Sequence, residues 1–320
     1  MISLSALAKK LFAEKSVAIF CHINPDGDTL GSAVAMRFLL LNRGVDADVY
    51  CSDCVPPKFG YLRGAESIKT EMLSDKKYTA YLAMDCADLS RLGKFSDAFM
   101  RFDGTRYVID HHVSNAHFGN KNYVENRAAD AENVYELAVN AGCEITPEIA
   151  NALATGIVTD TGNFRHKNVT PNTMRITASL IEKGANLNEI YYYCFTSQTP
   201  ARAKLFGLTM SKIRYFAEGK IALITIGLNS LAETGAKADE TEGFIDFVMG
   251  IQGVEIGISV METDKNAYKI SLRSKTADVN AVAKNFGGGG HILASGCKIM
   301  GEYEEVVDRL TVIAAKYIDE

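Results

Sequence analysis

The N-terminal half of the chain alternates short apolar runs with longer segments whose apolar residues recur at helical spacing. Helical spacing is clear in TLGSAVAMRFLLLNRG, NVYELAVNAG and TPEIANALATGIVTDTG, the last with Thr146 as N-cap and Pro147 at the first helical position. The apolar runs that predict buried strands are SVAIFCH, ADVYC, TAYLAMD and RYVIDHH. This alternation predicts the α/β class, with a parallel sheet and helices on both of its faces.

The C-terminal part has a different order of elements. A helical pattern, interrupted near Pro200, covers residues 186–215 and predicts a helical connector. Beyond it, KIALITIG, VEIGISVME and AYKISLRSK predict strands, and ETEGFIDFVMG and YEEVVDRLTVIAAKYI predict helices. We therefore expect a larger domain over 1–185, the connector over 186–215, and a smaller α/β domain over 216–320.

Composition narrows the classes of partner. The formal net charge of -5 gives the chain no overall basic field, so we expect no binding of long duplex nucleic acid. Seven scattered cysteines do not form a disulfide framework, which favours the reducing cytoplasm. No apolar run approaches the ~20 residues of a membrane span, and the first residues are too polar for a signal peptide.

Acidic and histidine residues stand where the predicted elements of the first domain end. The first strand runs into CHINPDGDTLGS, the third into Asp85 and the fourth into IDHHVSN, while the helix that starts at Thr146 runs to Asp160. Ligand sites of such sheets form beyond the carboxyl ends of the strands, so these groups can converge. The residues that we expect to meet there are His22, Asp26, Asp28, Asp85, His111, His112 and Asp160.

Carboxylates packed together repel one another unless cations lie between them. Two divalent metals would remove this conflict. Oxygen ligands combined with imidazoles favour manganese over calcium or zinc–thiolate chemistry, while magnesium, iron and cobalt stay open. A metal pair about 3.5–4 Å apart could generate hydroxide from a shared water and hold a phosphoryl group for in-line attack.

Four motifs, HINPDGDTLGS, MDCAD, IDHHVSN and VTDTGNF, are similar to those of the DHH phosphoesterase family, and they occur in the family order. NFGGGGHILASG resembles the glycine-rich substrate domain that accompanies the DHH catalytic domain. The size and the two-domain layout resemble the bacterial and archaeal members that degrade very short RNA and dephosphorylate 3′-phosphoadenosine 5′-phosphate. The resemblance therefore implies a hydrolase with short RNA or DNA oligonucleotides, including linear dinucleotides, and this nucleotide as substrates.

The resemblance also implies roles for single residues. His112 would face the scissile phosphate, where it stabilises charge or protonates the leaving oxygen. Asp110 would orient an imidazole or a metal-bound water, and Asn115 would touch the substrate. The implied metal ligands are His22 and Asp26 on one manganese, Asp28, His111 and Asp160 on the other, and Asp85 bridging both.

The second domain contains candidate phosphate-binding groups. A glycine run lets backbone N–H groups approach a phosphate without obstruction from Cβ atoms, although such a run on its own is equally typical of a flexible loop. The resemblance favours substrate binding, in which the second domain grips a terminal phosphate while the first cuts the neighbouring bond. The candidates are Gly288, Gly289, Gly290 and His291 in the glycine motif, and Arg273, Ser274 and Lys275 at the end of a strand.

Other functions stay open at this level. A RecJ-like single-strand DNA exonuclease shares the metal motifs but is normally longer. A related inorganic pyrophosphatase would not need the glycine-rich domain. A non-catalytic nucleotide-binding module is a third possibility, which the intact set of predicted ligands disfavours. The sequence does not determine the oligomeric state, and a homodimer is compatible with it.

Overall fold

The computed structural model describes residues 1–318 of the chain. They form two compact units that divide in the sequence between Ser197 and Gln198. The predicted connector, residues 186–215, spans this division. Among the described residues no helix has the length and apolar character needed to cross a membrane.

The first unit is built on a five-stranded sheet with the order β2-β1-β3-β4-β5, in which every neighbouring pair is parallel. Helices pack on both faces, which confirms the predicted α/β class. The strands are β1 (Ser16–Phe20), β2 (Asp46–Tyr50), β3 (Ala80–Met84), β4 (Thr105–Asp110) and β5 (Lys121–Val124). The helices are α1 (Leu4–Leu11), α2 (Gly27–Asn42), α3 (Ser96–Arg101), α4 (Asp130–Asn140), α5 (Pro147–Asp160), α6 (Pro171–Glu182) and α7 (Leu187–Tyr191).

Local sequence signals set the ends of the helices that carry the site. The side chain of Asp26 caps α2 by accepting from the N–H groups of Asp28 and Thr29. Thr146 caps α5 and Pro147 occupies its first position, as the sequence predicts. The two helices pack closely because Gly31 of α2 leaves room for the backbone of α5.

The second unit contains a six-stranded mixed sheet with the order β10-β11-β9-β8-β7-β6. Only β7 and β8 pair in parallel. The strands are β6 (Arg214–Phe216), β7 (Ile221–Ile226), β8 (Ile256–Asp264), β9 (Ala267–Ser274), β10 (Gly289–His291) and β11 (Ala294–Met300). The helices are α8 (Pro200–Met210), α9 (Leu228–Thr234), α10 (Phe244–Met249), α11 (Val279–Lys284) and α12 (Tyr303–Ala315).

The structure corrects several element predictions. The helical pattern predicted through residue 215 ends at Met210, and Arg214–Phe216 forms an edge strand against β7. The interruption falls at residues 197–199, after a π-helical turn over Tyr192–Thr196 and before Thr199 caps α8. Part of the glycine run is a strand, because Gly289–His291 pairs with β11.

Candidate metal centre

The ends of three strands and one helix bring the predicted residues of the first unit together. His22 follows β1, Asp85 follows β3, and the two histidines follow β4, whose last residue is Asp110. Because the strands are parallel, these three ends lie at the same edge of the sheet. The first turn of α2 adds Asp28, its cap adds Asp26, and the last residue of α5 adds Asp160.

Asp85 occupies the middle of this group. Its Oδ2 lies 3.5 Å from Nε2 of His22, and its Oδ1 lies 3.3 Å from Nε2 of His111. The residue is buried, with φ of 54°. Positive φ is uncommon for a residue other than glycine, and such strained positions cluster at functional sites. Asp85 thus combines an uncommon backbone conformation with one carboxylate oxygen near each of the two imidazoles.

Each imidazole has a further carboxylate beside it. Nε2 of His22 is 3.4 Å from Oδ2 of Asp26. Nε2 of His111 is 3.7 Å from Oδ2 of Asp160 and 3.9 Å from Oδ2 of Asp28. Three overlapping groups of donor atoms result, which are His22, Asp26 and Asp85; Asp28, His111 and Asp160; and Asp85, Asp110, His111 and His112. Asp85 belongs to two of them and lies beside His111 of the remaining one.

Asp28 is fully buried, and the start of α4 holds it in place. Its two oxygens accept hydrogen bonds from the N–H groups of Asp130 (2.5 Å) and Ala131 (3.0 Å). Ser32 donates to the same carboxylate at 3.2 Å. The positive end of the α4 dipole therefore faces this carboxylate.

The ionisation of these residues follows from their burial and from the charges close to them. Burial lowers the pKa of both imidazoles, but the close contacts with neighbouring carboxylates outweigh it and raise the pKa of His22 to about 10 and that of His111 to about 11. Burial raises the pKa of Asp28, and the adjacent carboxylates of Asp85 and Asp160 raise it further. The group thus requires positive charge, from protons or from cations.

His112 has a different environment from His111. Its Nδ1 is 2.8 Å from Oδ1 of Asp110, and its side chain is 43% exposed. The hydrogen bond to Asp110, more than any other interaction, raises the pKa of His112. The carboxylate of Asp110 is fully buried, and its bond to Nδ1 holds the His112 ring in one orientation. Nε2 on the other side of the ring is then available to another partner.

Asn115 is placed to orient Asp110. Its Nδ2 donates to Oδ2 of Asp110 at 2.5 Å and to the carbonyl of Cys86 at 2.8 Å, and its Oδ1 accepts from the N–H of His117. The residue is buried. This geometry gives Asn115 a positioning role, and the substrate contact that the resemblance implies stays a prediction.

The donor set fits divalent cations. Oδ1 of Asp85 is buried and, among the described residues, has no hydrogen-bond partner of suitable geometry. A buried carboxylate oxygen in this state needs a cation or another donor. Carboxylate oxygens with imidazole nitrogens are ligands that manganese and similar divalent ions accept, whereas no thiolate is part of the set.

Several residues near the centre were not predicted from the sequence. A guanidinium nitrogen of Arg91 lies 3.1 Å from Nδ1 of His22. Asn133 of α4 donates to the carbonyl of Asp110 and to the buried carboxylate of Asp130. The sequence offers little sign of these contacts. Arg91 lies in a polar loop and Asp130 in the first turn of a helix, and both arrangements are common without a functional role.

The candidate residues of the second unit lie around the end of β9. Arg273 is half-buried and donates to the carbonyl of Leu272. The Ser274 hydroxyl is buried and accepts from the N–H groups of Thr276 and Ala277, so it stabilises a turn. Lys275, Gly289, Gly290 and His291 are exposed.

Two of the glycines have a structural reason that needs no ligand. A Cβ at Gly288 would lie 2.2 Å from the carbonyl oxygen of Gly296. Gly290 has φ of 151°, and a Cβ there would lie 2.6 Å from the carbonyl oxygen of Ala294. At Gly289, by contrast, a Cβ would lie 3.7 Å from its nearest neighbour, so the space beside the Gly289 backbone is open, unlike that at Gly288 and Gly290.

A parallel sheet with a cluster of carboxylates and imidazoles at its carboxyl edge is followed in this chain by a unit with a mixed sheet. Family models match both units. Residues 16–157 match the DHH family, N-terminal domain, and residues 219–320 match the DHHA1 domain. The two matches cover well over half of the chain, which belongs to the DHH family.

Curated relatives resemble the chain over most of their length. It is 29% identical over 303 residues to the bifunctional oligoribonuclease and PAP phosphatase NrnA of Thermus thermophilus, covering 92% of this chain and 89% of that protein. With the protein of the same name from Bacillus subtilis it shares 24% identity, covering 89% of each. A crystal structure of an exopolyphosphatase-related protein from Bacteroides fragilis superposes with a TM-score of 0.84 at 25% identity, covering 98% of this chain and 96% of that one.

Proposed function

We propose that the protein is a manganese-dependent phosphoesterase that hydrolyses short oligonucleotides to mononucleotides and dephosphorylates 3′-phosphoadenosine 5′-phosphate. The observation that carries the proposal is the position of Asp85, whose two oxygens adjoin two separate groups of acidic and histidine donors. The names of the curated relatives support the substrate class. We also propose the cytoplasm as the location, since all seven cysteines are free.

The residues divide into two sets that would each hold one metal. One set consists of His22 and Asp26, and the other of Asp28, His111 and Asp160, with Asp85 as the ligand common to both. When bound, two divalent ions supply Lewis-acid activation of water and neutralise charge on the phosphoryl oxygens. Manganese is our choice because the ligands are oxygens and imidazoles.

The protein residues around this centre orient the reacting groups and move a proton. Asp110 holds the His112 ring through Nδ1, and Asn115 holds Asp110. The exposed Nε2 of His112 then carries the proton that the leaving oxygen needs. Arg273 of the second unit supplies a guanidinium that can bind a terminal phosphate in the bidentate mode.

The test is hydrolysis by the purified chain in the presence of Mn²⁺. Substrates are 5′-labelled oligonucleotides from two residues upward, together with 3′-phosphoadenosine 5′-phosphate and inorganic pyrophosphate. We expect cleavage of oligonucleotides of about two to five residues and release of phosphate from the nucleotide, with little turnover of a 25-mer. The Asp85→Ala variant serves as the negative control for a contaminating nuclease.

Each alternative gives a different result in the same assay. Equal efficiency on a 5-mer and a 25-mer of single-stranded DNA would replace our proposal with a RecJ-like exonuclease. Turnover of pyrophosphate alone would indicate a pyrophosphatase. Binding of nucleotide without turnover of any substrate, with manganese present, would indicate a non-catalytic module.

A further inference from the structure

Arg91 lies in the loop between β3 and α3, beside the donor atoms of His22 and Asp26. One nitrogen of its guanidinium is 3.1 Å from Nδ1 of His22. Arg91 is half-buried, and among the described residues it makes no ion pair. The nearby carboxylate of Asp88 accepts from the N–H and the hydroxyl of Ser90 instead. A charge that is partly withdrawn from water is stabilised by an anionic partner, and the described part of the chain does not provide one for Arg91.

Nδ1 of His22 is a poor partner for this guanidinium because it already has another. It lies 2.8 Å from the carbonyl oxygen of Ile23. When His22 is a metal ligand through Nε2, its ring is neutral and carries its one proton on Nδ1, which then donates to that carbonyl. A protonated nitrogen cannot accept a hydrogen bond, and every nitrogen of a guanidinium is a donor. In this state of His22 the donors of Arg91 therefore need a different acceptor.

The charge of Arg91 indicates what that acceptor is. A guanidinium keeps its proton at all pH values relevant to catalysis, so it repels any cation held at His22. Arg91 is thus unsuited to support metal binding by itself. A phosphate group would remove the conflict, because its oxygens attract a guanidinium and a metal ion alike. The position suits a residue that binds an anionic substrate at the metal centre.

The loop that carries Arg91 is held in place. The carbonyl of Arg91 accepts from the N–H of Ile23 at 2.7 Å, and the Ser52 hydroxyl donates to the carbonyl of Leu92 at 2.9 Å. Gly93 has φ of 59° and ψ of -129°, and a Cβ there would lie 2.5 Å from Cγ2 of Ile23. Only glycine fits this close approach. The guanidinium therefore starts from a pre-formed backbone, which lowers the cost of orienting it on a ligand.

We propose that Arg91 is a catalytic residue that binds a non-bridging oxygen of the scissile phosphate, on the side of the centre where His22 and Asp26 lie. The inference rests on the proposed function and adds a residue to it. Arg91 differs in role from Arg273, because it contacts the phosphate that reacts and not a terminal phosphate. A donor in this position stabilises the charge that develops on the phosphoryl oxygens.

The first measurement is the binding of two dinucleotide probes to the full manganese-loaded chain by isothermal titration calorimetry. Both probes carry the same 5′-phosphate. The anionic probe has a phosphinate linkage, with methylene groups in place of both bridging oxygens, and the neutral probe has a formacetal linkage without phosphorus. Neither linkage can be hydrolysed by a phosphoesterase. We expect Arg91→Ala to weaken binding of the anionic probe by at least about tenfold and that of the neutral probe by less than about twofold.

The second measurement is calorimetric titration with Mn²⁺. Arg91→Ala should bind as many ions as the wild type and at least as tightly, because the substitution removes a charge that repels them. A residue that only holds the His22 ring in place would give the opposite result, since its removal would weaken manganese binding. This readout separates contact with the substrate from support of a ligand.

The third measurement is hydrolysis. Arg91→Ala should lower kcat/KM by about 10²–10³-fold on short oligonucleotides and equally on a small generic phosphodiester, because both contain the scissile phosphate. Arg91→Lys should recover part of this loss, since lysine keeps the charge without the planar fork. Arg91→Gln replaces Arg91→Ala in all three measurements if the alanine variant fails to fold by circular dichroism. Arg101→Ala is the matched control and should change nothing, because Arg101 is exposed on α3 and lies 3.9 Å from Asp97.

Equal weakening of the two probes, weaker manganese binding by Arg91→Ala, or a kcat/KM on the generic phosphodiester within about twofold of the wild type would overturn the inference. Each of these results is distinct from failure of the proposed function, which the hydrolysis assay on the unmodified chain decides. A chain that hydrolyses oligonucleotides, but in which Arg91→Ala affects both probes equally, would retain the function and lose this assignment.

Discussion

At the scale of single residues, the two adjacent histidines differ because β4 ends just before them. Nε2 of His111 points among the buried carboxylates of Asp85 and Asp28. His112 is held by Asp110 and keeps an exposed edge. One imidazole therefore has the environment of a metal ligand, and the other has that of a group facing the substrate.

We expect His112→Ala to retain bound manganese and to lose mainly kcat, by about 10²–10⁴-fold, because the proton it supplies is needed only in the transition state. His111→Ala should lose metal. Elemental analysis of both variants, combined with steady-state kinetics, makes the comparison. Equal loss of metal from the two variants would show that their roles have been divided wrongly.

A second prediction concerns Asp48 of β2, which is nearly buried beneath two lysines. Burial raises its pKa, but hydrogen bonds from Lys69, Lys76 and Tyr78 outweigh that effect and hold the pKa well below the ordinary value. A depressed pKa stabilises the fold above the unfolded-state pKa of about 3.9, and the stabilisation is lost as pH falls through the folded-state value.

Asp48→Asn should therefore lower the free energy of unfolding by about 1–3 kcal/mol at pH 7. The difference from wild type should shrink progressively below about pH 4. Asp46→Asn is the control, since Asp46 pairs with the same Lys76 but is largely exposed, and exposed pairs contribute little. Thermal unfolding across pH measures both; a deficit for Asp48→Asn that is constant down to pH 2 would contradict the electrostatic explanation.

Residue positions could be predicted where strand ends fixed them. His22, Asp85 and His111 each follow a strand of one parallel sheet, so their meeting was deducible without coordinates. Arg91 could not be predicted in the same way, because it reaches His22 from an irregular loop. The internal bonds of Asn115 depend equally on the path of a turn, which the sequence pattern does not determine.

At the scale of secondary-structure elements, the packing of α2 against α5 places Asp28 and Asp160 together. A Cβ at Gly31 would lie 2.3 Å from the carbonyl oxygen of Ala152 in α5. The backbone cannot yield as a flexible side chain can. The glycine therefore sets the distance between the two helices that carry these carboxylates.

Gly31→Ala should destabilise the fold by about 1–3 kcal/mol through overpacking, and it should weaken metal binding. Gly207→Ala is the matched control, because Gly207 lies in α8 with nothing within 4 Å of its potential Cβ, and alanine there should be neutral or stabilise by up to about 1 kcal/mol. Calorimetric unfolding and manganese titration of the two variants test this. Equal stability of the two variants would refute the packing argument.

Element prediction succeeded where the periodicity was long and failed where the chain was short or mixed. The helices α2 and α5 have clear caps and apolar faces, and both were predicted. The edge strands Lys121–Val124 and Arg214–Phe216 are too short to show a period of two. Helix α6 was missed although Thr170 caps it and Pro171 starts it, because its apolar positions are sparse.

At the scale of the whole molecule, charge bears on substrate length. The net charge of -5 gives little attraction to a long polyanion, so a few local groups must provide the binding. We expect kcat/KM on single-stranded oligonucleotides to be greatest at about two to five residues and to fall beyond that.

Arg273→Ala should raise KM for these substrates without changing metal content, and it should leave hydrolysis of a small generic phosphodiester unchanged. An equal effect on the generic ester would remove Arg273 from substrate binding.

The α/β class of the first unit and the presence of a second α/β unit followed from the sequence, because alternating strands and helices have few compact arrangements. The cavity that Ser259, Ser271 and Arg273 line in the second unit could not be foreseen, because it depends on the register that pairs Ser259 of β8 with Ser271 of β9.

The central claim is that Asp85 is the shared ligand of two metals, and the number of manganese ions bound per chain tests it most directly. Calorimetric titration with Mn²⁺ should give two ions per chain for the wild type. Asp85→Ala should bind fewer than two, with weakened affinity at both sites and no turnover, because the variant loses the one carboxylate that adjoins both groups of donors. Two ions retained by Asp85→Ala with unchanged affinity, or a single ion in the wild type, would contradict this account.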